Sequence, residues 1–271
     1  MAERNVSGRN VSEDPTEVVT WKKEAPGIVH VTLARPPANA LGPAILDGMH
    51  AAIDAAEKAG DVKVMVVSSA LDGFFAAGAD IKHLSKIDAE SFTAYGDRMR
   101  AVNDRLAAAP FLSVAAVDGL ALGGGLELAM ACTLRVSGPR GKYGLPEVRI
   151  GLIPGAGGTQ RLPQLVGRGR ALDIMLTARQ VPASEALAIG LVDRLTEGDV
   201  VEEALSLAAE LTAGASLPAQ LAVVRTVDAA FDLPVKQGFA FEAAQEQALF
   251  EDGEAAEGIT AFIEKRRPDF A

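Results

Sequence analysis

The sequence has little cysteine, no excess of positive charge and no long apolar run, and each absence excludes a class of protein. The single cysteine, Cys132, has no partner for an internal disulfide, and its apolar surroundings indicate a small buried residue rather than a nucleophile. The net charge of −10 argues against sequence-independent nucleic-acid binding, which needs a basic face. No apolar run approaches the roughly 18 residues that span a bilayer, so a membrane protein is not expected.

The first residues of the chain are charged where a secretory signal would need an apolar stretch. We therefore expect residues 1–15 to form a disordered tail and the protein to be cytoplasmic. With 49% hydrophobic and 23% charged residues, the rest of the chain has an ordinary globular composition. Its length is sufficient to bury a sizeable core.

The remaining sequence alternates between strand and helix patterns. Residues 62–70 are too apolar for a half-exposed strand and are typical of a strand covered by helices on both faces. Further strands are predicted at residues 27–34, 112–119 and 133–138, and helices at residues 44–59 and 89–108. This order is that of right-handed crossover units, so the pattern alone predicts an α/β protein with a parallel sheet.

The part of the chain beyond about Ala183 is a succession of amphipathic helical segments. Their apolar stripes must be buried either on the core or on another subunit. We expect both, and therefore predict a homo-oligomer.

A glycine triplet at residues 123–125 lies between a predicted strand and a run of helix formers. Glycine lets the backbone approach a ligand closely, and the free N–H groups of a helix N-terminus then favour an anion. A tight helix-to-strand contact without any ligand is the alternative explanation. The dinucleotide fingerprint G-x-G-x-x-G is absent here and also from residues 153–161.

Two glutamates accompany the glycines. Glu127 follows Gly124 by three residues inside an apolar segment, and Glu147 follows Pro146 and precedes a second glycine-rich loop. Taken singly, each is compatible with a helix-cap or turn residue. Beside an anion site they suggest paired acid–base work, in which one carboxylate activates water and the other delivers a proton.

A third segment, residues 74–84, reads FFAAGADIKHL. Its small residues predict a turn with exposed backbone N–H groups, followed by Lys82. A surface turn with a solvated lysine is the alternative.

In combination, these segments resemble the enoyl-CoA hydratase/isomerase (crotonase) superfamily. The matching stretches are residues 75–82, 115–132 and 143–162 and the ending EGITAFIEKRRPDF. The resemblance implies an α/β crotonase (ClpP-like) fold of repeated β-β-α units in two roughly perpendicular sheets. It also implies a spiral core at residues 16–200 and a C-terminal helical region at residues 201–271 that assembles trimers, often paired into hexamers.

The resemblance also implies a catalytic site for acyl-CoA thioesters. The backbone N–H groups of Ala79 and Gly124 would form an oxyanion hole for the thioester carbonyl. Glu127 and Glu147, which are 20 residues apart, would act as acid and base. By the same resemblance Glu127 activates the water, Glu147 protonates the α-carbon and Gly155 helps to hold the water, with the division between the two glutamates left open.

Contacts with the acyl-CoA substrate are implied for residues around these motifs. Those of the same chain are Ala77, Gly78, Asp80, Ile81, Lys82 and Gly155, and those from a neighbouring subunit are Phe262 and Lys265. No metal and no separate cofactor are expected, since coenzyme A is part of the substrate.

Two positions depart from the hydratase pattern. Leu145 stands where short-chain hydratases carry glutamine, which predicts a less polar acyl pocket, and Thr133 stands where an aspartate is usual. The favoured function is hydration of a trans-2-enoyl-CoA to a 3-hydroxyacyl-CoA, because both glutamates are retained. The alternatives are a hydratase for a branched or carboxylated acyl-CoA such as methylglutaconyl-CoA, an enoyl-CoA isomerase, and a non-catalytic acyl-CoA-binding protein.

Overall fold

A computed structural model describes residues 18–251 and 254–270. The predicted disordered tail at residues 1–15 lies outside these residues. The chain divides into two compact units, of which the first ends at Ala208 and the second begins at Ala209.

The described residues form ten strands of two to seven residues and eleven α-helices of four to nineteen residues. The strands are β1 (Val19–Ala25), β2 (Ile28–Leu33), β3 (Val64–Ser69), β4 (Gly73–Ala76), β5 (Leu112–Val117), β6 (Gly119–Leu122), β7 (Leu134–Ser137), β8 (Lys142–Gly144), β9 (Val181–Pro182) and β10 (Arg194–Leu195). The helices are α1 (Pro43–Ala59), α2 (Ile81–Leu84), α3 (Ala89–Ala107), α4 (Gly124–Ala131), α5 (Gly158–Val166), α6 (Arg168–Thr177), α7 (Ala183–Ala188), α8 (Val200–Thr212), α9 (Leu217–Asp232), α10 (Val235–Glu251) and α11 (Glu254–Glu264).

The first sheet has the strand order β1-β2-β3-β5-β7-β10. Its neighbours are parallel except for β1, which joins β2 antiparallel. β3 and β5 are buried along nearly their whole length, which confirms the prediction of a strand covered on both faces. The predicted strands at 27–34, 112–119 and 133–138 and the helices at 44–59 and 89–108 are confirmed as β2, β5, β7, α1 and α3.

A second, smaller sheet has the order β4-β6-β8-β9. Each of its first three strands directly follows a strand of the first sheet, so β3-β4, β5-β6 and β7-β8 form successive steps, each followed by helical structure. This arrangement confirms the repeated β-β-α units and replaces the single parallel sheet that the pattern alone predicts. The strands of the second sheet have two to four residues, too few for a periodic pattern to be visible.

The helical prediction beyond Ala183 is confirmed except at β10, which pairs with β7. The helix before it ends at Ala188, and Gly190 follows with a φ of +80°. Asp193 is then held by the buried Arg135, whose backbone N–H and guanidinium both donate to its carboxylate at 2.7 and 2.8 Å. This charge-assisted contact brings the segment to the sheet edge as a strand.

Many apolar side chains of the second unit are exposed, and no residue of α10 is buried. The large exposed ones are Val223, Val227, Phe231, Val235, Phe239, Phe250, Ile259, Phe262 and Ile263. Within the described residues no single helix is both long and apolar enough to cross a bilayer, and only the bent pair of α8 and α9 reaches that length and composition together.

The loop after β2 is fastened by the buried Asn39. Its Nδ2 donates to the Ser69 hydroxyl at 2.8 Å and to the Phe75 carbonyl oxygen at 2.9 Å. Its Oδ1 accepts from the backbone N–H of Arg35 at 2.7 Å, and its own φ is +51°. One side chain therefore joins the loop after β2 to the end of β3 and to β4, which leads into the segment 77–82.

Substitution of Asn39 separates the side-chain bonds from the backbone conformation. Alanine loses the bonds and strains the left-handed backbone, and we expect it to lower the free energy of unfolding by about 3 kcal/mol. Glycine loses the same bonds without that strain, so Asn39→Gly should be more stable than Asn39→Ala by roughly 1 kcal/mol. Urea denaturation of both variants measures this, and wild-type stability of Asn39→Ala would contradict the assigned role.

Candidate active site

The site is built where three strands of the second sheet end. β4, β6 and β8 are parallel neighbours, so their carboxyl ends meet at one edge, where ligands bind in open α/β sheets. The segments that follow these ends are residues 77–80, 123–125 and 145–147. The topology therefore brings together three motifs that lie far apart in the sequence.

Glycine is required where two of these segments touch. Gly78 has a φ of +91°, and a Cβ there would lie 2.9 Å from the Leu122 carbonyl oxygen and 3.4 Å from the Gly124 nitrogen. A Cβ at Gly125 would lie only 2.0 Å from the carbonyl oxygen of Ala76. A side chain at either position would force the two segments apart. The tight helix-to-strand contact, which was the alternative explanation for the glycine triplet, is therefore present in the structure. It is also part of the candidate site, because it sets the distance between the two segments.

The two predicted oxyanion donors lie side by side. A Cβ built on Gly124 would be 3.7 Å from the backbone nitrogen of Ala79. Gly124 is the first residue of α4, so its N–H has no carbonyl partner within the helix, and the positive end of the helix dipole lies there. On the other side, the carbonyl of Gly78 accepts from the Leu41 N–H at 2.8 Å, which holds the Ala79 segment. This arrangement suits an oxygen that gains negative charge.

Glu127 lies in α4 and is 2% exposed. Its Oε1 accepts the backbone N–H groups of Ala156 and Gly158, both at 2.8 Å. Gly158 is the first residue of α5, so this carboxylate also caps a helix N-terminus. Burial raises the pKa of Glu127, and the two N–H donors counter that shift because they favour the charged form.

Glu147 begins a 3₁₀ turn, Glu147–Ile150, directly after Pro146. Its Oε1 lies against Gly123, where a Cβ would be 2.8 Å away, and its Oε2 is buried and has no hydrogen-bond partner among residues 18–251 and 254–270. Burial, together with the nearby charge of Glu127, raises the pKa of Glu147 to about 7. The two glutamates therefore have different environments: Oε1 of Glu127 accepts two backbone N–H groups, whereas Oε2 of Glu147 accepts none.

The segment Asp80–Lys82 divides into a structural part and an open part. The Asp80 carboxylate is occupied, since it accepts from the Arg35 guanidinium at 2.7 Å and caps α2 through the His83 N–H at 3.1 Å. Ile81 and Lys82 are exposed, and Lys82 takes part in no salt bridge among the residues that the structure describes. Ala77 is held by an N–H bond to the Ala38 carbonyl at 2.9 Å.

Phe262 and Lys265 belong to the second unit. Phe262 is 86% exposed on α11, and Lys265 follows this helix with a φ of +56°. Their assignment to a neighbouring subunit's substrate stays a prediction.

Sequence reasoning missed the polar residues of α3 that support the site. The Tyr95 hydroxyl and the Asn103 amide contact backbone groups beside Ala79 and Glu127, respectively. Gly155, predicted to hold the water, has its carbonyl bound by Arg100 at 2.8 Å. Tyr95, Met99 and Asn103 recur every four residues. The buried face of a helix without any functional role has the same spacing, so the sequence pattern does not reveal these residues.

Three other positions receive structural roles. Leu145 is fully buried, and its Cδ1 would lie 3.0 Å from a Cβ on Gly158, so the site is apolar beside Glu127. The backbone N–H and hydroxyl of Thr133 exchange hydrogen bonds with Ser113 at 3.0 Å, which joins the strands β5 and β7. Cys132 is buried and its pKa is raised to about 12, as expected for an unreactive thiol.

The raised pKa of Glu147 has a consequence for stability. In the folded protein the Glu147 carboxyl group has a pKa of about 7, compared with its ordinary value of 4.5. The stability that the neutral form contributes is therefore full below pH 4.5 and is lost as the pH rises through 7. Glutamine cannot ionise, so the unfolding free energy of Glu147→Gln relative to wild type should grow between about pH 4.5 and pH 7 and level off above pH 7.

Urea denaturation of both proteins at several pH values measures this difference. Ionisable groups that the two proteins share cancel in the comparison. A difference that does not change with pH would contradict the buried, unpartnered position of the carboxylate.

Comparison with known proteins places this geometry in a family. The sequence model described as enoyl-CoA hydratase/isomerase matches residues 23–271. A probable enoyl-CoA hydratase of Rhizobium meliloti (strain 1021) is 39% identical over 89% of this chain and 93% of its own. The mitochondrial methylglutaconyl-CoA hydratase of Mus musculus is 34% identical over 98% of this chain and 87% of its own.

A solved crystal structure is also similar to this chain in both fold and sequence. The crystal structure of an enoyl-CoA hydratase from Bacillus anthracis superposes with a TM-score of 0.88, at 29% identity, and covers 93% of this chain and 98% of that one. The strand-end site, the β-β-α steps and these relatives lead to one conclusion: the chain is an enzyme of the enoyl-CoA hydratase/isomerase family, with the crotonase fold.

Proposed function

We propose that the enzyme adds water reversibly to a trans-2-enoyl-CoA and gives a 3-hydroxyacyl-CoA. The observation that carries the proposal is the pair of glutamates beside the oxyanion hole. Glu127 is held by two backbone N–H groups, whereas Glu147 has a buried oxygen without a partner. Environments that separate two carboxyl groups in this way assign one to the base and the other to the acid.

Charge on the thioester oxygen is met by the backbone. Addition of water at the β-carbon passes through an enolate-like state, in which negative charge grows on this oxygen. The adjacent N–H groups of Ala79 and Gly124 would bind it without reorganisation. One such donor contributes roughly 3 kcal/mol to transition-state stabilisation.

Glu127 is the base in this proposal. Its Oε1 already accepts two N–H groups, so Oε2 is the oxygen available to take a proton from water. Burial raises its pKa and thereby its basicity, while the two N–H donors favour its charged form. Gly155 adjoins the loop that holds Oε1, and its backbone N–H would help to position the water.

Glu147 is the acid. A pKa of about 7 means that the Glu147 carboxyl group is protonated in a large fraction of the molecules at neutral pH. In this form it can deliver a proton to the α-carbon. In the reverse direction the same groups exchange roles. The reaction then needs acid–base chemistry and electrostatic stabilisation alone, so the proposal includes no metal and no separate cofactor.

A carboxylated or branched enoyl-CoA is the second candidate substrate. The observation in its favour is the similarity to methylglutaconyl-CoA hydratase, which extends over 98% of the chain. The buried Leu145 beside Glu127 instead favours an apolar acyl group near the reacting carbons. A straight-chain substrate is therefore the first choice.

Coenzyme A would be held by local cations of an acidic protein. Lys82 is exposed beside the oxyanion segment, and we propose Lys265 and Phe262 of a neighbouring subunit as further contacts. A trimer or a dimer of trimers is part of this proposal. Its support is the exposed row of Val223, Val227 and other apolar residues on α9–α11, which water would otherwise cover.

The catalytic pair is tested by Glu127→Gln and Glu147→Gln. Loss of enoyl-thioester absorbance is followed for trans-2-enoyl-CoAs of increasing chain length and for methylglutaconyl-CoA. Each variant should lose about 10²–10⁴-fold in kcat, because one proton transfer is disabled. Thermal unfolding and CoA binding serve as controls for folding. Near-normal hydration by either folded variant would contradict the proposal.

The subunit contribution is tested by sedimentation and by Lys265→Ala. We expect a particle of three or six times the chain mass of 28.1 kDa. Lys265→Ala should keep this mass but weaken CoA binding several-fold, because a phosphate contact is lost. Lys58→Ala, at an exposed position on α1, is the matched control and should bind CoA normally. A monomer, or equal binding by both variants, would contradict this part of the proposal.

A further inference from the structure

One row of side chains on α3 reaches three parts of the site. Tyr95, Met99 and Asn103 recur every four residues, so they share one face of the helix, and each is at least 90% buried. Two of the three are polar, which is unusual for a buried helix face unless their polar atoms have specific partners.

Tyr95 bonds to the backbone on both sides of the oxyanion segment. Its hydroxyl accepts the N–H of Asp80 at 3.1 Å and donates to the carbonyl oxygen of Leu41 at 2.5 Å. Leu41 and Ala79 form a parallel bridge, in which the Leu41 N–H binds the Gly78 carbonyl. The phenol therefore completes this bridge and fixes the peptide next to the Ala79 N–H.

Asn103 bonds to the loop that holds Glu127. Its Nδ2 donates to the Ala156 carbonyl oxygen at 2.9 Å, and the N–H of the same residue donates to Glu127 Oε1 at 2.8 Å. Arg100, also on α3, binds the preceding carbonyl, that of Gly155, at 2.8 Å. Two successive carbonyls are thus held by α3 while the loop N–H groups are directed at the carboxylate.

Met99 lies between these two contacts. A Cβ on Gly124 would be only 2.5 Å from its Cε, so the thioether packs directly on the glycine of the second oxyanion donor. The row on α3 therefore contacts the segment of each donor and the loop of Glu127.

We propose that α3 aligns the two halves of the site, with Tyr95 as positioning residue for the Ala79 N–H and Asn103 as positioning residue for Glu127. The inference rests on the proposed hydratase function and adds side chains that act through backbone groups. A displacement of about 1 Å can cost 10²-fold in rate, so such supports have a kinetic effect beyond their contribution to folding.

The experiment compares Asn103→Leu and Tyr95→Phe, which remove the bonds at nearly constant size, with Val102→Ala. Val102 is a buried α3 residue whose truncation destabilises the helix packing without removing a hydrogen bond. The measured quantities are kcat, KM, the melting temperature and the pH dependence of kcat/KM. In the pH dependence, the acid limb is the fall in kcat/KM at low pH.

The two variants should give different results. Asn103→Leu should lower kcat by about 10–100-fold with little change in KM. It should also move the acid limb to higher pH, because misaligned N–H donors no longer lower the pKa of Glu127. Tyr95→Phe should lower kcat and leave the acid limb in place. Val102→Ala should lower the melting temperature alone.

A second readout does not depend on turnover. Acetoacetyl-CoA forms an enolate whose charge lies partly on the thioester oxygen, and its absorbance reports binding of the ionised form. Tyr95→Phe should weaken enolate binding about tenfold, whereas Asn103→Leu should retain it. Failure of wild type to hydrate any enoyl-CoA would contradict the proposed function, while the enolate measurement would still test the Tyr95 assignment.

The inference is overturned if both variants retain the wild-type kcat, acid limb and enolate affinity, or if they change only the melting temperature as Val102→Ala does. Should Asn103→Leu fail to fold, Asn103→Ser replaces it with the same expected directions. Its shorter side chain keeps a polar group in the pocket but does not reach the Ala156 carbonyl.

Discussion

The site depends on one steric constraint, the direct contact of two backbone segments at the ends of β4 and β6. A Cβ on Gly78 would lie 2.9 Å from the Leu122 carbonyl oxygen, and a Cβ on Gly125 would lie 2.0 Å from the Ala76 carbonyl oxygen, so the contact has no room for a side chain at either position. The parallel pairing of β4 with β6 sets the distance between these segments, and the glycines allow the approach. Because the contact places N–H groups rather than side chains at the surface of the site, the fold itself supplies the proposed oxyanion donors.

The electrostatics of the glutamates follow from the same architecture. Burial alone would raise the pKa of both. The loop before α5 gives Glu127 two N–H donors, whereas Glu147 sits on a tight 3₁₀ turn that leaves one oxygen buried and without a partner. The two carboxyl groups thus have different environments: the N–H donors, with the charges of Arg100 and Arg161, oppose the effect of burial at Glu127, whereas at Glu147 the charge of Glu127 adds to it. That difference is the property that the proposed addition of water requires.

The sequence predicts much of this, and the gaps have physical causes. β3 and α3 are long and consistently patterned, so they are visible, whereas β4 and β8 have too few residues to show a period. The motifs around Gly124 and Glu147 stand out because glycine and acid are costly in buried segments. Asn103 does not stand out, because it acts on the backbone of a loop 53 residues away, and only the folded chain shows that contact.

The central claim is that hydration requires Glu147 protonated and Glu127 ionised at the same time. The pH profile of kcat/KM for hydration of a trans-2-enoyl-CoA tests it most directly. Since the acid form of Glu147 is the active one, activity should fall as the pH rises above about 7, and it should fall again at low pH as Glu127 takes up a proton. A rate that stays constant from pH 6 to pH 9 would contradict the account.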